Sequence, residues 1–309
     1  MIGILMAVYN GQAYLSQQIE SIMHQSNQSF HLLIADDGST DESFSIAQDA
    51  AAQYPGRITV SRNPQPTGSA QGNFFAMLFA HKTEFDYFMF SDQDDVWRPD
   101  KIAVTLAAVQ REEQEAGIET PILGFTDLTL VDRSLTITEP SLWKATGAGN
   151  EPLELRHAVL KNRCAGCTFL MNRALATSIC APSSASMHDW WIYLSALVLG
   201  RVVAVDVPTI LYRQHGGNSL GSQNTKKFSF RLKRMLQGND VRCQLQFTYQ
   251  QAEALRKDYN GRLRASDDHF LLQYASLPQL GKMRRIRTLL QLGALKSDMP
   301  ARIAQLLYC

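Results

Sequence analysis

The 309-residue sequence has no apolar run long enough to cross a bilayer. Its longest run, Trp190 to Gly200, is broken off by Arg201 and Asp206, and a spanning helix needs about 20 residues. The opening MIGILMAVYNG is short and carries no basic leader, so no signal peptide is expected. The chain should be soluble or peripheral. Cysteine is scarce: Cys164, Cys167, Cys180, Cys243 and Cys309. An odd count without a leader suggests reduced thiols in a cytoplasmic setting. The lone CxxC at Cys164–Cys167 lacks a second ligand pair at zinc spacing, which leaves it as packing. Net charge is only +1, so no global basic field points to nucleic acid. GxxxxGK[ST] is absent, and no GxGxxG follows the first apolar run, which excludes a P-loop and a dehydrogenase-type dinucleotide fold. There is no repeat and no low-complexity segment.

What is present is an ordinary globular composition, 45% hydrophobic and 19% charged. The length suits one large α/β domain, or a domain with a helical appendage. Ile2–Tyr9 is an apolar strand stopped by Asn-Gly. Tyr14, Leu15, Ile19, Ile22 and Met23 then recur at helical spacing. His31–Ala35 reads as a second strand, followed by a helix to about Tyr54 that Ser39 or Thr40 can cap. Arg57–Arg62 and Asp86–Ser91 read as further strands, with amphipathic helices over 69–82 and from Pro99 to about Ala116. Short, almost wholly apolar strands alternating with helices imply a parallel sheet covered on both faces.

Ligands of such sheets sit beyond the carboxyl ends of the strands. Here those ends carry AVYNG, ADDGSTD and SDQDD. The last places Asp92, Asp94 and Asp95 within four residues, straight after the apolar Tyr87–Phe90. Carboxylates that close raise one another's pKa unless a cation joins them, and Mg²⁺ or Mn²⁺ prefers oxygen ligands. Taken alone, the stretch could equally be a solvated capping turn. Three polar clusters converging on one sheet edge favour a binding site.

The second half changes character. Leu123–Val131 alternates like an antiparallel strand, 151–162 looks helical, and Cys167–Met171 is apolar and central. His188-Asp189-Trp190-Trp191 opens a helix to Leu199, and Val202–Val207 and Ile210–Arg213 are extended. Beyond about Thr225 only helical patterns remain: 226–237, 240–258, 265–276, 282–293 and 299–308. Basic residues gather in KKFSFRLKRML (226–236) and GKMRRIR (281–287).

Six stretches, MAVYNGQAYLSQQIESIMHQS, IADDGSTDES, FSDQDDVWRPDKI, GCTFLMNR, HDWWIYLSA and LYRQHGGNSLG, resemble glycosyltransferase family 2 in the family's order over residues 1–220. The FSDQDDVW, HDWW and YRQHGGNS forms most resemble bacterial rhamnosyltransferases of surface-polysaccharide assembly, such as O-antigen or exopolysaccharide. The C-terminal ninety residues match no motif. The resemblance implies an α/β fold of the GT-A (nucleotide-diphospho-sugar transferase) type with a mainly parallel central sheet. Residues 1–222 would be the transferase domain, 1–117 its nucleotide-sugar half and 118–222 its acceptor half, with 223–309 a C-terminal helical region.

It also implies an inverting, metal-dependent transfer from a nucleoside-diphosphate sugar, with Mn²⁺ or Mg²⁺ as cofactor. The favoured donor is dTDP-L-rhamnose and the acceptor a saccharide or polyprenyl-linked sugar. A UDP-hexose donor and a catalytically silent nucleotide-sugar-binding module are the alternatives. A nucleotidyltransferase would want a Gly-rich, Arg/Lys-bearing loop after the first strand, which AVYNGQAY lacks. By motif position Asp94 and His215 match metal ligands, while Tyr9, Asp36, Asp37, Asn73, Asp92 and Arg213 match donor-binding positions. Asp95 would support the cluster or simply cap the turn. Tyr9 could instead be a partly buried strand residue, Asn73 a cap and His215 a structural histidine. Asp189 matches the base, against the simpler reading of an N-cap, and Trp190 and Trp191 would face the acceptor sugar. His188 stands where the family more often has Glu, and either tunes Asp189 or is a surface residue. Gly216-Gly217 suggests a loop closing over phosphates. The basic C-terminal helices would give peripheral contact with the inner face of the cell membrane.

Overall fold

The computed structural model describes residues 1–184, 187–215 and 238–309. By contacts the chain falls into two units. The first comprises residues 1–149, 164–179 and 200–216, and the second residues 150–163, 180–199 and 217–309. The second unit therefore draws on segments well before residue 222. The expected helix over 226–237 and the basic 226–236 stretch lie outside the described residues.

In the first unit the strands are β1 (Ile2–Val8), β2 (Phe30–Asp36), β3 (Ile58–Arg62), β4 (Tyr87–Ser91), β5 (Val96–Trp97), β6 (Ile122–Val131), β7 (Ile137–Glu139), β8 (Phe169–Asn172) and β9 (Arg201–Arg213). Its helices are α1 (Leu15–Met23), α2 (Ser43–Gln53), α3 (Ala70–His81), α4 (Lys101–Ala116) and α5 (Leu142–Thr146). Across the sheet the order is β3-β2-β1-β4-β8-β6-β9-β5, with β7 paired to β6. The four strands β3, β2, β1 and β4 are parallel, as the βα alternation requires. β8 enters antiparallel between β4 and β6. β6 is antiparallel to β7 and β8, as its alternation suggests, but parallel to β9. All ten of its residues are buried. The two extended stretches expected around Pro208 form one strand, β9.

Register matters for the site. Val8 lies opposite Asp36 and Met6 opposite Ser91. The residues that follow β1, β2 and β4 therefore emerge side by side. Beneath them, Phe90 stacks on Phe74 at 4.6 Å and packs against Phe169 at 4.9 Å. α3 is capped by Ser69, whose hydroxyl accepts from Gly72 N at 3.0 Å. Neither Ser39 nor Thr40 caps α2, which begins later, at Ser43. Asp41 accepts from the Ser43 N–H instead, at 3.0 Å.

After α6 (Leu155–Ala158) and, in the first unit, α7 (Arg173–Ser178), the second unit contains α8 (His188–Leu199), α9 (Gly238–Asp258), α10 (Ala265–Ala275), α11 (Lys282–Leu292) and α12 (Met299–Tyr308). Of the helix expected over 151–162, only Leu155–Ala158 forms. A polar knot around Glu151, which receives Lys161 Nζ at 2.8 Å and Arg163 Nη1 at 2.6 Å, takes the place of the rest. The unit's interior is aromatic: Trp191 stacks on Tyr259 at 5.9 Å, and Tyr259 donates to Ser195 Oγ at 2.8 Å. Among the described residues no helix is long and apolar enough to cross a membrane.

At the start of β9 a Cβ on Gly200 would lie 1.9 Å from the carbonyl oxygen of Pro121, which already receives Arg201 N–H at 2.9 Å. Backbone must move to admit it. Gly200→Ala is expected to lower unfolding free energy by about 2–3 kcal/mol, read from the urea midpoint.

Candidate functional site

The carboxyl edge of the parallel strands is stitched together before any ligand arrives. Asn10, with φ of 49°, turns the chain after β1. Its N–H donates to Ser39 Oγ at 2.9 Å, and its side-chain oxygen accepts from Thr40 N at 2.9 Å. Gln93, inside SDQDD, accepts from Tyr9 N at 2.8 Å and donates to Tyr9 O at 2.9 Å. This two-way clasp ties the first strand's exit to the acidic loop and leaves the Tyr9 side chain 58% exposed. Gln93 was missed by sequence reasoning. Its only signal was its place within the loop, because the clasp needs β1 and β4 to be neighbours.

Asp36 is buried and points sideways, accepting from Arg62 Nε at 2.9 Å and from Ser39 N at 3.2 Å. Asp37 holds the 63–68 loop. One of its oxygens accepts from Asn63 Nδ2 and Thr67 N, and the other from Thr67 Oγ1 and Gly68 N, all at 2.7–3.0 Å. A carboxylate has about four acceptor sites, so this conformation fills them. Burial works to raise the Asp37 pKa, but the bonds from Thr67, Asn63 and Gly68 outweigh it and hold it below the ordinary value. Asn73 is buried, donating to Ala35 O at 2.9 Å and accepting from Asn63 at 3.2 Å. The three donor-side residues Asp36, Asp37 and Asn73 thus act here as ties among β2, α3 and the loop.

The acidic loop holds a carboxylate–imidazole pair. Asp94 Oδ2 lies 2.7 Å from His215 Nε2, and Tyr14 stacks on that imidazole at 5.1 Å. The structure thus brings together the two residues expected to bind metal, from positions 121 residues apart. Arg213, expected at phosphate, lies inside. Its N–H donates to Asp95 Oδ1 at 3.1 Å and its Nε to Asp94 O at 2.8 Å, while its two Nη atoms reach Arg133 O and Gln17 Oε1. It braces the loop from behind. Gly216-Gly217, read as a closing loop, lie outside the described residues.

Asp95 is fully buried, and its Oδ2 has no hydrogen-bond partner among the described residues. Burial first, then the charges of Asp92 and Asp94, push its carboxyl well above the usual carboxylate range. Asp92, Asp95 and Cys167 each offer one atom to a group spanning no more than 4.8 Å. Lys101 is buried nearby, 4.7 Å above the Trp97 ring, and burial lowers its ammonium to about 8. Burial, then Asp95 and Asp92, raise the Cys167 thiol well above its ordinary value. A thiol that stays protonated is a weak ligand for a hard cation. The Asp94 carboxylate and the His215 imidazole, 2.7 Å apart, suit Mn²⁺ or Mg²⁺.

In the second unit, Asp189 stands in the first turn of α8, buried, and accepts from Trp190 N at 2.6 Å. Trp190 donates its indole N–H to Ala158 O at 2.7 Å, and Trp191 donates to Cys180 O at 3.2 Å. Both rings are interior, and the wholly buried Trp191 has no free face for a sugar. His188 is also buried rather than a surface residue, and burial brings its pKa down to about 4.

The family model for Glycosyl transferase family 2 matches residues 3–175, more than half of the sequence. The chain belongs to that family. It is 28% identical over 232 residues to the dTDP-rhamnosyl transferase RfbG of Shigella flexneri, covering 73% of this chain and 77% of the relative. It is 29% identical to the putative glycosyltransferase EpsE of Bacillus subtilis over 41% of this chain and 44% of the relative. Among solved structures, S. aureus TarS 1-349 with UDP-GlcNAc superposes with a TM-score of 0.54 at 15% identity, over 99% of this chain and 88% of that one. The mannosyltransferase PcManGT of Pyrobaculum calidifontis, solved with GDP-Man and Mn2+, gives 0.51 at 14% identity, over 98% and 77%. The fold is GT-A, with the expected helices after it.

The buried His188 sets a pH dependence. The unfolded chain, with an imidazole pKa near 6.5, takes up a proton that the folded state refuses until about pH 4. This contribution to stability is full above the unfolded value and is lost as pH falls from about 6.5 toward about 4. His188→Asn is expected to flatten that part of the Tm-versus-pH curve relative to wild type, as scanning calorimetry would record.

Proposed function

We propose that this chain is an inverting glycosyltransferase that moves L-rhamnose from dTDP-L-rhamnose to a saccharide or polyprenyl-linked acceptor in bacterial surface-polysaccharide assembly. The observation that carries the reading is the meeting of Asp94 with His215 at 2.7 Å, in the loop that also carries Asp92 and Asp95. The RfbG relative, named for dTDP-rhamnosyl transfer, supports the choice of donor.

Asp94 and His215 would hold the divalent ion, with Asp92 on its donor side. An ion held by them would supply positive charge toward the departing diphosphate. Gln93 fixes Tyr9 so that its exposed ring can flank the base. Arg213 keeps the acidic loop from splaying. On the acceptor side Asp189 accepts the proton of the attacking hydroxyl, which bonds to the anomeric carbon as the carbon–oxygen bond to the diphosphate breaks. A lipid-linked acceptor would bring the protein to the membrane surface, where the basic stretches over 226–236 and 281–287 suit anionic headgroups.

Two variants test the roles. Asp94→Ala is expected to abolish Mn²⁺-dependent donor turnover while leaving the far-ultraviolet dichroism unchanged. Asp189→Asn should lower kcat by about a hundredfold or more, with donor affinity within about twofold of wild type. Retention of most activity by Asp189→Asn would remove the base from it. A thermal-shift panel of dTDP-L-rhamnose and UDP-hexoses, with and without Mn²⁺, separates the donors. No stabilisation by any of them would sink the transferase reading.

A further inference from the structure

The transfer reading leaves one feature of the second unit unused. α9, α11, α12 and the Leu277–Gln279 turn line a cavity of about 410 Å³. Three of its lining side chains, Arg242, Lys282 and Arg285, are cations, and none is a carboxylate. These cations are held in place. Arg285 donates to the carbonyls of Leu277, Pro278 and Leu280 at 2.8–3.0 Å. Lys282 Nζ donates to Leu307 O at 3.0 Å, and Arg242 lies 5.7 Å over the Tyr308 ring. Three fixed like charges around one cavity raise its potential, and an anion entering it relieves their repulsion.

A second observation lies along α12. Met299, Ile303 and Leu307 recur every four residues and are 61%, 43% and 51% exposed. At that spacing they form one apolar line on a single helix face. Leu307 also lines the cavity, so the line ends at the cations. On α11, Met283 and Leu290 are exposed as well, with the exposed Arg284 and Arg287 between them. An apolar row ending at a cationic cavity complements a molecule with a phosphate at one end and hydrocarbon at the other.

We propose that α11 and α12 dock this protein onto an anionic phospholipid surface. A headgroup phosphate enters the cavity at Arg242 and Lys282, and Met299, Ile303 and Leu307 sink to the acyl boundary. The inference deepens the membrane contact in the reading above and assigns it to a face among the described residues. It does not depend on the donor sugar.

The test is co-sedimentation of the full chain with phosphatidylglycerol or phosphatidylcholine vesicles at about 0.15 M salt, without donor or metal. Its failure would leave nucleotide-sugar stabilisation, measured separately, untouched. Wild type should sediment with phosphatidylglycerol and much less with phosphatidylcholine. The pair Arg242→Ala, Lys282→Ala should weaken binding about tenfold or more. The pair Ile303→Ser, Leu307→Ser should weaken it too, although it leaves net charge unchanged. Met299→Ser, at a largely solvated position, serves as a third variant should either pair melt early. Equal sedimentation with both lipids overturns the proposal, as does binding that none of these variants changes. Stabilisation by inorganic phosphate without vesicle binding overturns it in favour of a soluble anion. A wild-type dimer that the serine pair splits, again without vesicle binding, overturns it in favour of self-association.

Discussion

The acidic loop keeps its shape because one guanidinium sits behind it. Arg213 is the last residue of β9, and it reaches Asp94 O, Arg133 O and Gln17 while its own N–H holds Asp95. Three carboxylates in four residues would otherwise spread apart. Buried Lys101 adds a second positive charge on the same inner side. The Arg213 guanidinium lies 4.5 Å over the Tyr14 ring, on which His215 stacks at 5.1 Å, so the brace and the Asp94–His215 pair share one aromatic neighbour.

The parallel half of the sheet was legible because each strand is short, apolar and followed by a helix with its own periodicity. The other half was less so. β5 has two residues and makes sense only against Ile210 and Leu211 of β9. β6 is buried along its full length, so alternation could not reveal that one neighbour runs parallel and two antiparallel. The failure of 151–162 as a long helix goes with the contacts that Lys161 and Arg163 make to Glu151, which the periodicity does not reveal.

Sequence placed polar residues at the carboxyl edge of the sheet but could not say which way each would face. Asp36, Asp37, Asn73 and Arg213 are polar residues at strand and helix ends, where either a ligand or the chain itself can take their hydrogen bonds. In this structure the chain takes them, apart from Asp36 Oδ1, which has no partner among the described residues. Trp191 illustrates the same ambiguity for aromatics, since a ring that suits a sugar also suits a core. Cys167, Lys101 and Gln93 had no signal of their own. Their importance comes from neighbours distant in sequence, such as Asp95 beside Cys167 and Tyr9 beside Gln93.

The saturated carboxylate of Asp37 has a kinetic corollary. Any incoming base that hydrogen-bonds to it must first displace Asn63, Thr67 or Gly68. Capture of such a ligand is then gated by the rate at which that short segment lets go. Its apparent affinity is discounted by the fraction of molecules in which the segment has already released. A change that favours release of the segment would therefore raise both the capture rate and the apparent affinity of such a ligand.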